Sequence, residues 1–152
     1  MKKIQIYKGD STPWRTRKSR QPADQGSAAT RERHPGGEDE VQLFDVKFDP
    51  NRQTEVHAHE QDEIVYVVAG QMLFGQHSLN PGDSIHIPAM TLYSFRAGPQ
   101  GLQFINFRPR KDVTYYNRAE FGELQKLEAG ARAEYREQII RAARERVGWE
   151  DR

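Results

Sequence analysis

From residue 41 onward the chain alternates between apolar and polar positions. Val41, Leu43, Val46 and Phe48 set an imperfect two-residue period, which Asp49-Pro50-Asn51 ends in a turn. Glu55 to His59 suits a short strand, and Ile64 to Ala69 is a β-branched run stopped by Gly70. Met72 to Phe74 follows, bending at Gly75, with His77 in the hairpin bend. Asn80-Pro81-Gly82-Asp83 is a strong turn signal. Ile85 and Ile87 alternate up to Pro88, Tyr93 to Ala97 reads as a strand, and Gly98-Pro99-Gln100-Gly101 turns into Leu102 to Phe107. About seven or eight short strands separated by Gly/Pro turns predict an all-β antiparallel sandwich or barrel over residues 41–116.

The flanks follow other rules. Residues 117–152 change to a helical period, with Phe121, Leu124 and Leu127 on one face after a possible cap at Asn117. Beyond Gly130, Tyr135, Ile139, Ala143 and Val147 recur every four residues. One or two amphipathic helices are expected here, packed on the barrel or on a partner. Residues 1–40 mix charge with Gly, Pro, Ser and Gln and read as a partly ordered arm, in which Ile4, Ile6 and Trp14 can dock on a neighbouring surface. Arg15, Arg17, Lys18 and Arg20 form its sharpest charge cluster, more readily solvated than a phosphate-binding arm.

Composition narrows the field. The absence of cysteine excludes disulfides, thiolate metal sites and thiol nucleophiles. A net charge of +1 gives no reason to expect nucleic acid or a membrane as partner. The longest apolar run, Ile64 to Ala69, is far below the roughly 20 residues of a membrane span. Met1 does not lead into an apolar signal segment, so the expectation is a cytoplasmic protein acting on a small molecule.

The informative stretch is His57-Ala58-His59-Glu60-Gln61-Asp62-Glu63. On a strand His57 and His59 share one side, and three intervening residues let the chain turn before Glu63. Two imidazoles and a carboxylate can then converge on one point, a set that suits Fe(II), Mn(II), Ni(II) or Zn(II) and leaves coordination positions open. Taken alone, two histidines one residue apart fit a solvated strand at least as well. The surrounding spacing changes that balance.

His57-x-His59-x3-Glu63-x6-Gly70 resembles the first motif of the cupin superfamily, with Asn51 in place of its leading glycine, and Gly82-x5-Pro88 resembles the start of the second. The resemblance covers roughly residues 41–110. It implies a double-stranded β-helix (jelly-roll) barrel with a C-terminal helical extension and a divalent metal in the barrel mouth, held by His57, His59 and Glu63, with iron(II) favoured. Where the second motif has a glycine, a histidine and an asparagine, this chain has Met90, Tyr93 and Ala97.

Tyr93 thus stands where the family's fourth ligand would be, and either lines the pocket as a substrate-contacting catalytic residue or ligates through its phenol oxygen. His86, between Ile85 and Ile87, should face away; His77 and His34 are poorly placed to substitute. Three protein ligands leave room for substrate and dioxygen together, which suits iron(II) oxygenation; metal-assisted lyase or isomerase chemistry and a non-catalytic small-ligand sensor, metal-free or not, are the rivals. The small cupin lyases acting on dimethylsulfoniopropionate typically carry a tyrosine two residues after the glutamate; here that residue is Val65, with Tyr66 on the opposite side. On the last strand either Gln103, Ile105 and Phe107 or Leu102, Phe104, Asn106 and Arg108 face inward, and Arg108, beside Pro109, Arg110 and Lys111, is expected at the surface. Exposed sheet faces and edges lead us to expect a homodimer.

Overall fold

The computed structural model describes residues 1–16 and 26–147. Nine strands and two helices follow in chain order: β1 (Arg15–Thr16), β2 (Ala28–His34), β3 (Gln42–Phe48), β4 (His57–Ala58), β5 (Glu63–Phe74), β6 (His77–Leu79), β7 (Ser84–Ile87), β8 (Arg96–Arg108), β9 (Tyr116–Asn117), α1 (Arg118–Lys126) and α2 (Ala129–Val147). The main sheet runs β1-β2-β3-β8-β5-β6, with β7 also on β5, and β4 pairs with β9 in a second, two-stranded ribbon. Every pairing is antiparallel. This is the expected jelly-roll architecture with helices appended at its C-terminal side.

The pleat decides what each strand buries. Phe44 and Val46 of β3, Val65 and Val67 of β5, and Leu102 and Phe104 of β8 point inward and meet Met72, Ile87, Tyr93, Phe95 and Ala97 in one core. The same inward rows end in polar residues: Gln42 on β3, Glu63 on β5, Asn106 and Arg108 on β8, all buried. Register brings them to one end of the sheet, because Gln42 faces Arg108, Phe44 faces Asn106 and Asn106 faces Val65. Barrel interiors are apolar through the middle and polar at the mouth, so this end is where chemistry is to be sought.

Several sequence expectations are corrected. Arg108 is buried rather than at the surface, since β8 keeps strict alternation to its last residue and carries Arg108 inward with Phe104 and Asn106. Gly98-Pro99-Gln100-Gly101 does not separate two strands. It lies inside the continuous β8, where register shifts against β5 absorb the bend. Tyr93 lies outside the strands, tied to His57 by an isolated bridge. His77 opens β6, and the bend falls one residue earlier.

Ala28–His34, inside the expected arm, forms β2 on the sheet edge. Trp14 docks as expected, its ring between the Arg31 guanidinium at 4.4 Å and the Lys47 ammonium at 4.3 Å. Ile4 and Ile6 stay exposed. Arg17, Lys18 and Arg20 of the charge cluster lie outside the described residues.

Asn117 caps α1 as its sequence suggests, in a reciprocal box: its side chain accepts from the Glu120 N–H while the Glu120 carboxylate accepts from the Asn117 N–H. Leu124 of α1 and Ile139 of α2 pack on Tyr116, with Met90, Phe121 and Tyr135 around them, so the helices cover the polar end of the barrel. Neither described helix is long and apolar enough to cross a membrane.

Asn51 and Met90 have φ of 62° and 56°. These are the positions where the resembled motifs have glycine and this chain does not, and both residues take the left-handed conformation that glycine adopts most readily.

Gly70 supplies a direct test of how closely β5 and β8 approach. Its φ is +72°, and an added Cβ would lie 2.1 Å from the Gly101 carbonyl oxygen. Gly70→Ala should therefore destabilise the fold by at least about 2 kcal/mol, whereas Gly75→Ala, with φ +58° but open space around it, should lose only about 1 kcal/mol. Urea denaturation of the two variants checks this; equal losses would show that backbone conformation, not the strand approach, is what Gly70 serves.

Candidate functional site

The polar end of the barrel is assembled from three pieces of chain. β4 presents His57, β5 begins with Glu63, and the segment after β8 folds back over both. That segment pins the turn between the histidines and the glutamate. The Glu60 N–H donates to Thr114 Oγ1 at 3.0 Å and the Gln61 N–H to Asp112 Oδ2 at 2.8 Å. Asp112 Oδ1 in turn accepts from the Thr114 N–H and hydroxyl. On the other side, Asp62 accepts from the Ala89 N–H at 2.9 Å and sits 2.9 Å from His86 Nε2. Glu60 takes the Tyr116 hydroxyl at 2.7 Å and the Arg136 guanidinium of α2 at 2.8 Å. His59 and Glu63 are thus spaced by a turn that is hydrogen-bonded at every residue.

Each histidine is oriented through Nδ1. His57 Nδ1 lies 2.7 Å from the Glu55 carbonyl, and His59 Nδ1 bonds the Thr114 carbonyl. A carbonyl only accepts, so both Nδ1 atoms carry the proton and both Nε2 atoms keep a lone pair. Burial pushes the His57 pKa down to about 3, helped by the His59 ring and Arg108. Burial lowers His59 as well, with Arg108 adding to it against the pull of Glu63. Both rings are therefore neutral near pH 7. The His57 and His59 centroids are 5.0 Å apart, and the His57 ring stacks on Tyr115 at 4.6 Å and 7°.

Glu63, only 1% exposed, is the centre of the cluster. Its Oε1 accepts from the Tyr93 hydroxyl at 2.8 Å; its Oε2 accepts from Asn106 Nδ2 at 2.6 Å and from Arg108 Nε and Nη2 at 3.3 and 3.2 Å. Burial alone would raise its pKa, but the neighbouring His59 and Arg108 and the bonds from Asn106 and Tyr93 outweigh that and hold it at about 2. The Tyr93 phenol moves the other way. Burial, and the charge of the carboxylate it donates to, keep it protonated well above its usual range.

The sequence-derived candidates do meet here: His59 Nε2 is 3.8 Å from Glu63 Oε1, and Tyr93 touches both the His57 ring and the carboxylate. The Tyr93 hydroxyl is spent on the Glu63 carboxylate, and its ring lies 4.4 Å from that of His57. Asn106, Asp112, Thr114 and Tyr115 were not singled out as site residues. Strand alternation offered Asn106 in one of two phases, whereas the loop residues carry no motif and become visible only once the chain folds back.

Donor chemistry fits a divalent ion: two neutral imidazoles presenting Nε2, one ionised carboxylate, and an outer hydrogen bond fixing each of the three. The spacing is wider than the chemistry asks. Among the described residues no group of three or more His, Asp or Glu side chains converges closely enough to hold an ion. What lies between them is Arg108, whose Nη2 is 3.4 Å from His59 Nε2 and 3.2 Å from Glu63 Oε2.

Comparison with known proteins bears on the fold that carries this site. Residues 44–103 match the cupin domain family. No curated protein matches the chain by sequence. Among solved structures it is similar to KdgF from Halomonas sp., at 27% identity and a TM-score of 0.55 over 70% of this chain and 95% of that one. It is also similar to the polyketide cyclase RemF from Streptomyces resistomycificus (24%, 0.57, 84% and 94%) and to an RmlC-like cupin protein from Ralstonia eutropha (16%, 0.62, 77% and 74%). The last two likenesses speak for the fold alone.

The depressed pKa values of His57, His59 and Glu63 make the ion-free protein sensitive to acid. His57 titrates near 6.5 unfolded and about 3 folded, so the unfolded chain takes its proton first and stability falls as pH drops below about 6.5. Glu63 contributes stability that is complete above its unfolded value near 4.5 and is lost toward about 2. Melting temperature in the presence of chelator should therefore fall in two stages on acidification, and His57→Gln should flatten the upper one. A wild-type melting temperature unchanged between pH 7 and pH 5 would contradict it.

Proposed function

We propose, from the match of residues 44–103 to the cupin domain family, that the chain binds a small organic molecule at the polar end of its barrel and transforms it with the help of a divalent ion. His57 and His59 would hold the ion through Nε2 and Glu63 through Oε1. The observation that carries this is the pinning of both imidazoles through Nδ1 to backbone carbonyls, which selects the tautomer a metal needs and fixes where each lone pair points. Iron(II) held by these residues would supply open coordination positions, and oxygenation of the substrate is the reaction class we assign to it.

The remaining residues have definable tasks. Asn106 and Arg108 hold Oε2 of Glu63, so that its rotation is fixed and Oε1 is turned toward His59. Tyr93 keeps its proton and donates a hydrogen bond to Oε1, trimming the charge of the carboxylate without competing for a lone pair of either histidine. Tyr115, stacked on His57 and donating to Glu55 at 3.0 Å, covers the outer side of the ring and limits access of water. Phe95 and Phe74, stacked on the Tyr93 ring, make the deeper wall apolar. The substrate this favours is small and partly apolar.

Equilibrium dialysis against saturating iron(II) or zinc(II), with elemental analysis of the protein compartment, tests the reading. Wild-type protein should retain close to one ion per chain above the free metal, and His57→Ala/His59→Ala should retain about tenfold less. Iron(II)-loaded protein should also show a new visible absorption band on adding nitric oxide without oxygen, reporting an open position. Equal retention in both proteins, or none in the wild type, would remove the metal centre from the proposal.

A further inference from the structure

Among the described residues, Arg108 is the guanidinium buried at the polar end of the barrel, and it is held on every side. Nε and Nη2 donate to Glu63 Oε2, Nη1 donates to the Asp112 carbonyl at 2.6 Å, and Nη2 reaches His59 Nε2 at 3.4 Å. The guanidinium also lies 5.4 Å over the Phe44 ring, and it is 9% exposed. Four of its five N–H groups are thus engaged within the chain. No two-pronged face is left with which to clamp the carboxylate of a substrate, the use an inward arginine most readily suggests.

We infer that Arg108 and a divalent ion are rivals for the same donors, so that this guanidinium keeps the site's affinity for metal low. This rests on the metal reading given above. An ion on His59 Nε2 would bond the lone pair at about 2.0–2.1 Å, and that lone pair is the one Arg108 Nη2 approaches. Only one of the two can use it. The carboxylate that would offset the ion's charge is already neutralised by the same guanidinium at 3.2 Å. Two like charges within a few ångströms in a site this dry repel strongly. The wide spacing of the three donors and the place of Arg108 among them are therefore one fact.

Two consequences separate this from a merely structural arginine. Removing the charge while keeping an amide donor for Glu63 should raise metal affinity, the opposite of what loss of a supporting residue does. Keeping the charge should not.

Isothermal titration of chelator-treated protein with zinc(II) reads this directly, using wild type, Arg108→Gln and Arg108→Lys. We expect Arg108→Gln to bind zinc at least about tenfold more tightly than wild type and Arg108→Lys to stay within about threefold of it. The gain in Arg108→Gln should vanish when His57→Ala/His59→Ala is added. Equal or weaker binding by Arg108→Gln, with wild type still binding, overturns the rivalry and leaves the metal centre standing. A gain as large in Arg108→Lys overturns it too, because packing rather than charge would then be responsible. Absence of binding in all three proteins removes the metal centre, and the rivalry with it. Should Arg108→Gln not fold without metal, recovery of soluble protein on refolding with zinc supports the inference, and failure to recover it counts against it.

Discussion

A carboxylate sealed inside a β-barrel is the constraint around which this molecule is organised. Glu63 is the first residue of a strand whose other inward side chains are Val65 and Val67, so its charge lies at the edge of an apolar core. An unpaired carboxylate there would cost several kcal/mol. Every polar neighbour can be understood from that requirement: Arg108 neutralises it, Asn106 and Tyr93 complete its hydrogen bonds, and His59 stands beside Oε1. Asp112 and Thr114 then lock the turn that fixes the distance from His59 to Glu63. A buried ion pair of this kind does little for net stability, but loss of one partner is severe, so the cluster is held together as a unit.

The same constraint explains how a nearly featureless barrel acquires a reactive end. Strand pleating delivers inward side chains at every second residue, and antiparallel register brings the first residue of β3 and the last of β8 next to the first of β5. Apolar residues fill the middle of each row, and the polar ones fall at the same end. The helices and the segment between β8 and β9 cover that end, which excludes water and strengthens each electrostatic contact inside. Lowered histidine pKa values, a carboxyl held near 2 and a tyrosine kept protonated are three consequences of one dry environment containing one fixed cation.

How much of this the sequence disclosed can be judged residue by residue. The alternation around Ile64–Ala69 and Leu102–Phe107, and the turn at Asn80–Asp83, mark local backbone preference and burial, and the strands appear there. The cap at Asn117 is equally local. Glu55–Glu63 announces two imidazoles and a carboxylate at strand spacing, and the three do gather at one end of the barrel. Arg108 was misjudged because Pro109, Arg110 and Lys111 look like a solvated tail, while the strand that turns Arg108 inward is set by pairing with β3, more than sixty residues away in sequence. The bend at Gly98–Gly101 misled for a similar reason: glycine and proline mark a change of direction without saying whether a strand ends or merely bulges.

What the sequence by itself determined is the barrel, its helical extension, and the identity and spacing of His57, His59 and Glu63, because these follow from period, turn chemistry and pleat within a few residues of each site. Only the tertiary structure decided what surrounds those three groups. Arg108, Asn106, Asp112 and Thr114 reach the site through strand register and a returning loop, and burial then sets their charges. Interactions between residues forty to seventy positions apart leave no periodic trace in a sequence, yet at the centre of this barrel they govern whether the donors hold an arginine or an ion.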